Sequence, residues 1–103
     1  MSDDRQVFTV ISNEGGLVLA GELDAATVPD LDEALLSRNG ERDVTMDVSE
    51  LTFIDSSGIH AIAAFVESRE PEGTVTLRGA SPHVRRVFEI TCLTELPKLR
   101  LDG

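Results

Sequence analysis

The four residues Asp55-Ser56-Ser57-Gly58 stand where an apolar, strand-like run, Leu51-Thr52-Phe53-Ile54, gives way to a helical pattern. A helix begins with backbone N–H groups that have no partner inside the helix, and with the positive end of its dipole. Two chemistries suit serine and aspartate there. In one, Asp55, Ser56 or Ser57 accepts those N–H bonds as a cap, and Gly58 relieves crowding. In the other, a serine hydroxyl accepts a phosphoryl group. The phosphate then carries about -1.5 to -2 charges and faces free N–H donors, so the domain holds it without unfolding. Formal charge would move from -10 to about -12, a small fraction of the total. Any switching must therefore be local, by steric blocking or by like-charge repulsion at a docking surface, a repulsion to which Asp55, and Asp24 if it lies nearby, would add. Such a clash costs several kcal/mol, on the order of a hundredfold or more in affinity.

The same neighbourhood also holds the residue types of a hydrolase, with Ser56 as nucleophile, His60 as base and Asp55 as orienting group. Asp55 is adjacent to Ser56, a poor place from which to orient the imidazole, so catalysis is not expected. His60, His83 and Cys92 lack metal-ligand spacing, and there is no Gly-rich phosphate loop ending in Lys and Ser or Thr. No metal and no cofactor is expected.

The elements that must position this segment can be read from pattern. Val7 to Ile11 is β-branched and aromatic, and Leu17 to Ala20 follows a turn at Asn13-Glu14-Gly15-Gly16; these predict two antiparallel strands. Gly21-Glu22-Leu23-Asp24 then leaves the second strand. Thr27 is expected to cap a helix over 28–38, with Pro29 in its first turn, Asp30 three residues past the cap, and Val28, Leu31 and Leu35 at helical spacing. Val44, Met46 and Val48 alternate with polar residues and predict a third strand over 43–48, followed by a short loop at Ser49-Glu50. Ile59, Ile62, Ala63 and Val66 form the stripe of a second helix that ends near Arg69. Thr74 to Arg78 is a fourth strand. Ser81 caps a third helix with Pro82 at its first position and Val84, Val87 and Phe88 buried. Leu96 to Leu99 is either a short edge strand or an irregular tail, since Pro97 cannot donate to a sheet. The expected fold is α/β: a mixed sheet of four or five strands with helices packed against it.

Composition narrows the function. A chain of 103 residues is expected to be one domain, with residues 1–5 a loose tail. With no Trp, no Tyr and four Phe, the core must be mainly aliphatic. A formal charge of -10 with nine scattered basic residues repels phosphate backbones and anionic membranes, so neither nucleic acid nor membrane is an expected partner. The acidity serves solubility, a partner with a basic surface, or both. One cysteine forms no internal disulfide, no apolar run is long enough to span a bilayer, and the start lacks a signal-peptide pattern, so the cytoplasm is the expected location.

The run Asp47-Val48-Ser49-Glu50-Leu51-Thr52-Phe53-Ile54-Asp55-Ser56-Ser57-Gly58-Ile59 resembles the signature of STAS domains, specifically bacterial anti-sigma factor antagonists. Three more segments resemble that family in the right order: Gly21-Glu22-Leu23-Asp24, Leu77-Arg78-Gly79-Ala80-Ser81, and Val84-Arg85-Arg86-Val87-Phe88-Glu89-Ile90. The resemblance implies a non-enzymatic partner that binds an anti-sigma factor serine kinase and so releases a sigma factor. It implies phosphorylation at Ser56, which ends the interaction, and a PP2C-type, metal-dependent phosphatase that restores it. ATP and Mg²⁺ would be held by the kinase. The resemblance places docking at Asp24, Asp55, Ser56, Ser57, Gly58, Ile59 and His60, and the free chain is expected to be a monomer. His60 either faces the partner or is an ordinary exposed helix residue. Cys92 stands where the family usually has Gly, so it either strains or alters that turn; a buried or half-buried structural thiol is the commoner role and a redox one the alternative. The other reading of the whole chain is a non-phosphorylated STAS scaffold or ligand-sensing module.

Overall fold

Asn13 closes the first turn with its side chain: Oδ1 accepts the Gly15 N–H at 2.8 Å. This turn joins strand β1 (Phe8–Asn13) to strand β2 (Gly16–Leu23), paired antiparallel from Phe8↔Gly21 to Asn13↔Gly16. The structure, a computed structural model, describes residues 7–103; the expected loose tail over 1–5 lies outside the described residues. Helix α1 (Val28–Leu36), strand β3 (Asp43–Ile54), helix α2 (Ser56–Glu67), strand β4 (Thr74–Arg78), helix α3 (Pro82–Ile90), a 3₁₀ turn over Leu93–Glu95 and strand β5 (Leu99–Asp102) follow.

All five strands form one sheet in chain order, β1-β2-β3-β4-β5, with every pair after the first parallel. Right-handed crossovers that always step the same way place their helices on one face. Burial agrees. Leu17, Leu19 and Leu23 of β2, Val44, Met46 and Val48 of β3, and Val75 and Leu77 of β4 are buried in one aliphatic core. Ile62 and Val66 of α2, Leu31 of α1, and Val84 and Phe88 of α3 close over it. Thr45, Asp47 and Thr76 point from the other face and are half-buried. The expected mixed α/β sheet is the observed one.

Three local expectations are corrected. Ser49-Glu50 is not a loop: β3 runs unbroken for 12 residues. Its pairing with β2 shifts register between Val18 and Ala20 and again between Gly21 and Glu22. These irregularities let Val48, Leu51 and Ile54, each three residues apart, all face the core. Thr27 holds the N-cap position of α1 without capping it. Its Oγ1 instead donates to Glu22 O and accepts from Asp24 N, both at 2.9 Å, while Asp24 Oδ1 accepts from Ala26 N at 3.0 Å. The last strand starts at Leu99 instead of Leu96, because Pro97 has no N–H to offer and the alternation that meets β4 is Leu99 and Leu101, opposite Val75 and Leu77.

Two buried arginines brace the end of the molecule opposite the Asp-Ser-Ser-Gly turn. Arg38, just after α1, donates to Asn13 O, to Gly16 O at 2.9 Å and to Ser12 Oγ at 2.7 Å, and pairs with Glu41 at 3.1 Å. Arg69, just after α2, donates to Glu41 O at 2.9 Å and to Asn39 Oδ1 at 3.2 Å, and stacks 3.9 Å from the centre of the Phe65 ring. Both work as structural clamps, their N–H groups satisfied by carbonyl and side-chain oxygens.

Cys92 has φ +64° and ψ +18°, the only non-glycine residue with positive φ among the described residues. It ends α3 in the left-handed conformation that favours glycine there. That conformation costs a residue with a Cβ about 1 kcal/mol. Of the two outcomes expected of Cys92, the left-handed turn is kept with a Cβ in it, and the expected burial of the thiol is corrected: the side chain is exposed, because the turn projects it away from the core.

Candidate functional site

The site is built at the carboxyl ends of β2 and β3, which pair through Leu23↔Ile54. Asp55 N donates to Leu23 O at 3.2 Å, so the loop that starts at Asp24 lies beside the start of α2. Asp24 is half-buried and holds its own loop together through the bonds to Ala26 and Thr27.

Asp55 is the cap. Its Oδ1 accepts Ser57 N at 2.9 Å and Gly58 N at 3.2 Å, and its extended backbone, φ -114° and ψ -172°, turns the strand into the helix. Of the three candidates for that duty, neither serine performs it. Ser56 is the first helical residue and is exposed; no hydrogen bond of its hydroxyl to another described residue is present. Ser57 is half-buried. Because Asp55 already occupies two helix-end donors, the free N–H groups expected to receive an added phosphate are fewer than the sequence suggested. An anion on Ser56 would project outward, next to the Asp55 carboxylate.

Gly58 is buried against Leu23 of β2 and Ile54 of β3. A Cβ there would lie 2.8 Å from both Ile54 Cγ1 and Leu23 Cγ, inside the contact limit of two core side chains. The glycine is needed for close approach, as its proposed role of relieving crowding requires. Ile59 is buried at 6% exposure, so of the residues expected at a docking surface, Gly58 and Ile59 present no side chain to a partner from this conformation. His60 is exposed on the next turn. Asp55 commits its carboxylate to the helix end, not to the imidazole, which leaves no oriented Ser-His-Asp arrangement. Among the described residues no cluster of three or more His, Cys, Asp or Glu is placed to hold a metal ion. No helix among them is long and apolar enough to cross a membrane.

Sequence reasoning did not single out Phe53, which is 41% exposed one residue before Ile54, or Leu36, 72% exposed on α1. Phe53 lies two residues before the Asp55 cap, and Leu36 lines an open groove between α1 and α2. Their types were visible; the exposure of Leu36 depends on how α1 sits against α2.

Comparison with known proteins agrees with this geometry. The family model described as "Mlab, STAS domain" matches residues 9–100. An anti-sigma-B factor antagonist of Staphylococcus aureus is 31% identical over 81 residues, covering 76% of this chain and 75% of its own length. One from Listeria monocytogenes is 31% identical over 87 residues, covering 82% of this chain and 76% of its own. The crystal structure of an anti-sigma factor antagonist from Mycobacterium paratuberculosis superposes with a TM-score of 0.72 at 26% identity, over 90% of this chain and 83% of that one. The fold, the motif at the head of α2 and these relatives converge: the chain belongs to the STAS-domain family of anti-sigma factor antagonists.

Proposed function

We propose that this chain binds an anti-sigma factor serine kinase, frees the sigma factor held there, and is switched off by phosphorylation of Ser56. One observation carries the reading: the Ser56 hydroxyl is exposed at the head of α2 and is free of capping duty, which Asp55 performs. In the transfer, Ser56 Oγ attacks the γ-phosphorus of ATP held by the kinase, the bond to ADP breaks, and the hydroxyl proton passes to a base on the kinase. The product places about -1.5 to -2 charges next to Asp55, on the surface that must meet the partner. Like-charge repulsion and bulk then end docking without any need to rearrange the core. A metal-dependent phosphatase of the PP2C type reverses the step by hydrolysing the phosphoserine. Asp24, Asp55, Ser56, Ser57 and His60 form the docking face, while Gly58 and Ile59 act beneath it by fixing the turn. The chain acts as a single binding domain, monomeric when free, in the cytoplasm, where ATP and RNA polymerase are found.

The test is to incubate the purified chain with the host's serine-kinase anti-sigma factors, ATP and Mg²⁺, and to read intact mass and the modified site. One phosphoryl group on Ser56, absent from Ser56→Ala, is the expected result. Binding of the kinase that is unchanged after stoichiometric phosphorylation would sink the mechanism.

A further inference from the structure

The two edges of the sheet are defended differently. β5 is only four residues long, with Arg100 and Asp102 exposed along it and Pro97 and Lys98 just ahead of it, the devices that keep a stray strand from pairing. β1 has none of them. Phe8 to Asn13 carries no charge and no proline, and its register with β2 runs without a shift, so no bulge twists the edge away. Val7 O accepts from Glu22 N, and antiparallel partners exchange bonds at every second residue. Thr9, Ile11 and Asn13 therefore turn to β2, while the N–H and C=O groups of Phe8, Val10 and Ser12 point off the sheet. Among the described residues none bonds to those outward groups. Beside this edge the outer side of α1 is acidic. A cleft of about 420 Å³ between them is lined by Phe8 and Val10 of β1 and by Asp30, Glu33 and Ala34 of α1, at three- and four-residue spacing. Phe8 and Val10 give it an apolar floor, Ala34 leaves room, Asp30 and Glu33 are exposed, and no Lys or Arg lines it. On the opposite face of β1, Ile11 is 57% exposed.

We infer that β1 accepts an extended basic segment of a partner protein as a sixth strand. A strand paired with Phe8 and Val10 shares their side-chain face, so every second residue of the newcomer enters the cleft. Lysine or arginine suits that place: its methylene stem covers Phe8, Val10 and Ala34, and its charge reaches Asp30 and Glu33. The residues between lie beside Thr9 and Ile11, where β-branched side chains pack well. An acidic segment would bring like charge to the two carboxylates, and a helix would leave the row of backbone groups unpaired. A second copy of this chain would bring only its own uncharged β1, with no cation for either carboxylate. None of the residues used here belongs to the face that carries Ser56, so the edge is a separate contact that does not depend on phosphorylation.

The probe is an eight-residue peptide, acetylated and amidated, in which lysine alternates with valine or threonine, titrated into the full isotope-labelled chain. Amide shifts are expected along 8–12 and at Asp30, Glu33 and Ala34, with affinity falling as salt rises. Solvent exchange at the amides of Phe8, Val10 and Ser12 should slow when peptide is bound, while Thr9 and Ile11, already bonded to β2, change little. Glu33→Lys should weaken the peptide about tenfold or more, and a peptide with glutamate in place of lysine should bind that variant better than it binds the parent. Val10→Pro removes an outward N–H at an edge position, where proline is tolerated, and should abolish binding while the spectrum of β2 to β5 persists. If Val10→Pro does not fold, Glu33→Lys, at an exposed helix position, carries the test. Ser56→Ala should leave peptide binding unchanged. The inference is overturned if the glutamate peptide binds the parent equally, if the slowed amides do not alternate along β1, or if binding requires removal of residues 1–6. It is also overturned if a second copy takes the edge, seen in sedimentation as a dimer that lysine peptide does not displace.

Discussion

Ser56 and Ser81 both sit at the start of a helix, and they are used in opposite ways. Ser81 precedes α3 and is its cap: Oγ accepts Val84 N at 3.3 Å, and Pro82 fills the first helical position. Ser56 lies inside the first turn of α2, behind an aspartate that does the capping. The same residue type is therefore structural in one place and spare in the other. What decides is which neighbour takes the helix-end N–H groups, and a hydroxyl becomes available for chemistry only when something else has taken them.

The largest effect should appear when both serines are offered to the kinase. Ser56 is labelled and Ser81 is not, and the phosphorylated chain loses on the order of a hundredfold in affinity for the kinase by calorimetric titration, a change of about 2.7 kcal/mol. Next in size is Gly58→Ala, whose methyl would press on Leu23 and Ile54. It should destabilise the fold by about 1–3 kcal/mol in urea denaturation. The comparison itself is tested by three alanine substitutions. Asp55→Ala and Ser81→Ala should each cost about 1 kcal/mol, while Ser56→Ala should stay within about 0.5 kcal/mol of the parent. Equal losses at Ser56 and Ser81 would show that Ser56 is a second cap.

The smallest effect concerns a third aspartate that accepts a local N–H bond. Asp47 Oδ1 accepts from Ser49 N at 2.9 Å and from Ser49 Oγ at 2.7 Å. The backbone bond first, then the hydroxyl bond, hold its pKa below the usual carboxylate value; burial opposes them, and the charge of Arg78 adds the least. A carboxylate whose folded pKa is lowered adds stability above its unfolded pKa of about 3.9 and loses it as pH falls through the lowered value. The urea midpoint difference between the parent and Asp47→Asn should therefore be present at pH 6 and close below about pH 4.

Much of this architecture was legible because pattern and burial coincide. Val44, Met46 and Val48 alternate and do face the core; Ser81-Pro82 starts a helix as such a pair should; Asn13 to Gly16 turns a hairpin. The misreadings share a cause. The polar pair Ser49-Glu50 reads as a loop, and Ser49 does make a turn-like bond to Asp47, but pairing with β2 carries the strand through it. Thr27 has the type and position of a cap, but Glu22 O and Asp24 N lie close enough to claim its hydroxyl. At the site, the residue types were legible, and so was the position of the helix start. Which of three polar residues would cap α2 was not, because the choice depends on the extended backbone of Asp55 and on the bond from its N–H to Leu23 O, a residue 32 positions earlier. The α1–α2 groove was hidden for the same reason: it exists only where two helices meet.

A sheet whose spatial order repeats its chain order has a consequence for synthesis. Each strand from β2 onward finds its neighbour's edge already made when it leaves the ribosome, so the sheet can lengthen at one border as translation proceeds, with no early strand waiting for a late one to be inserted beside it. On this route the head of α2 is in place before β4, α3 and β5 have emerged, and the turn that carries Ser56 is among the earlier parts of the nascent domain to take shape.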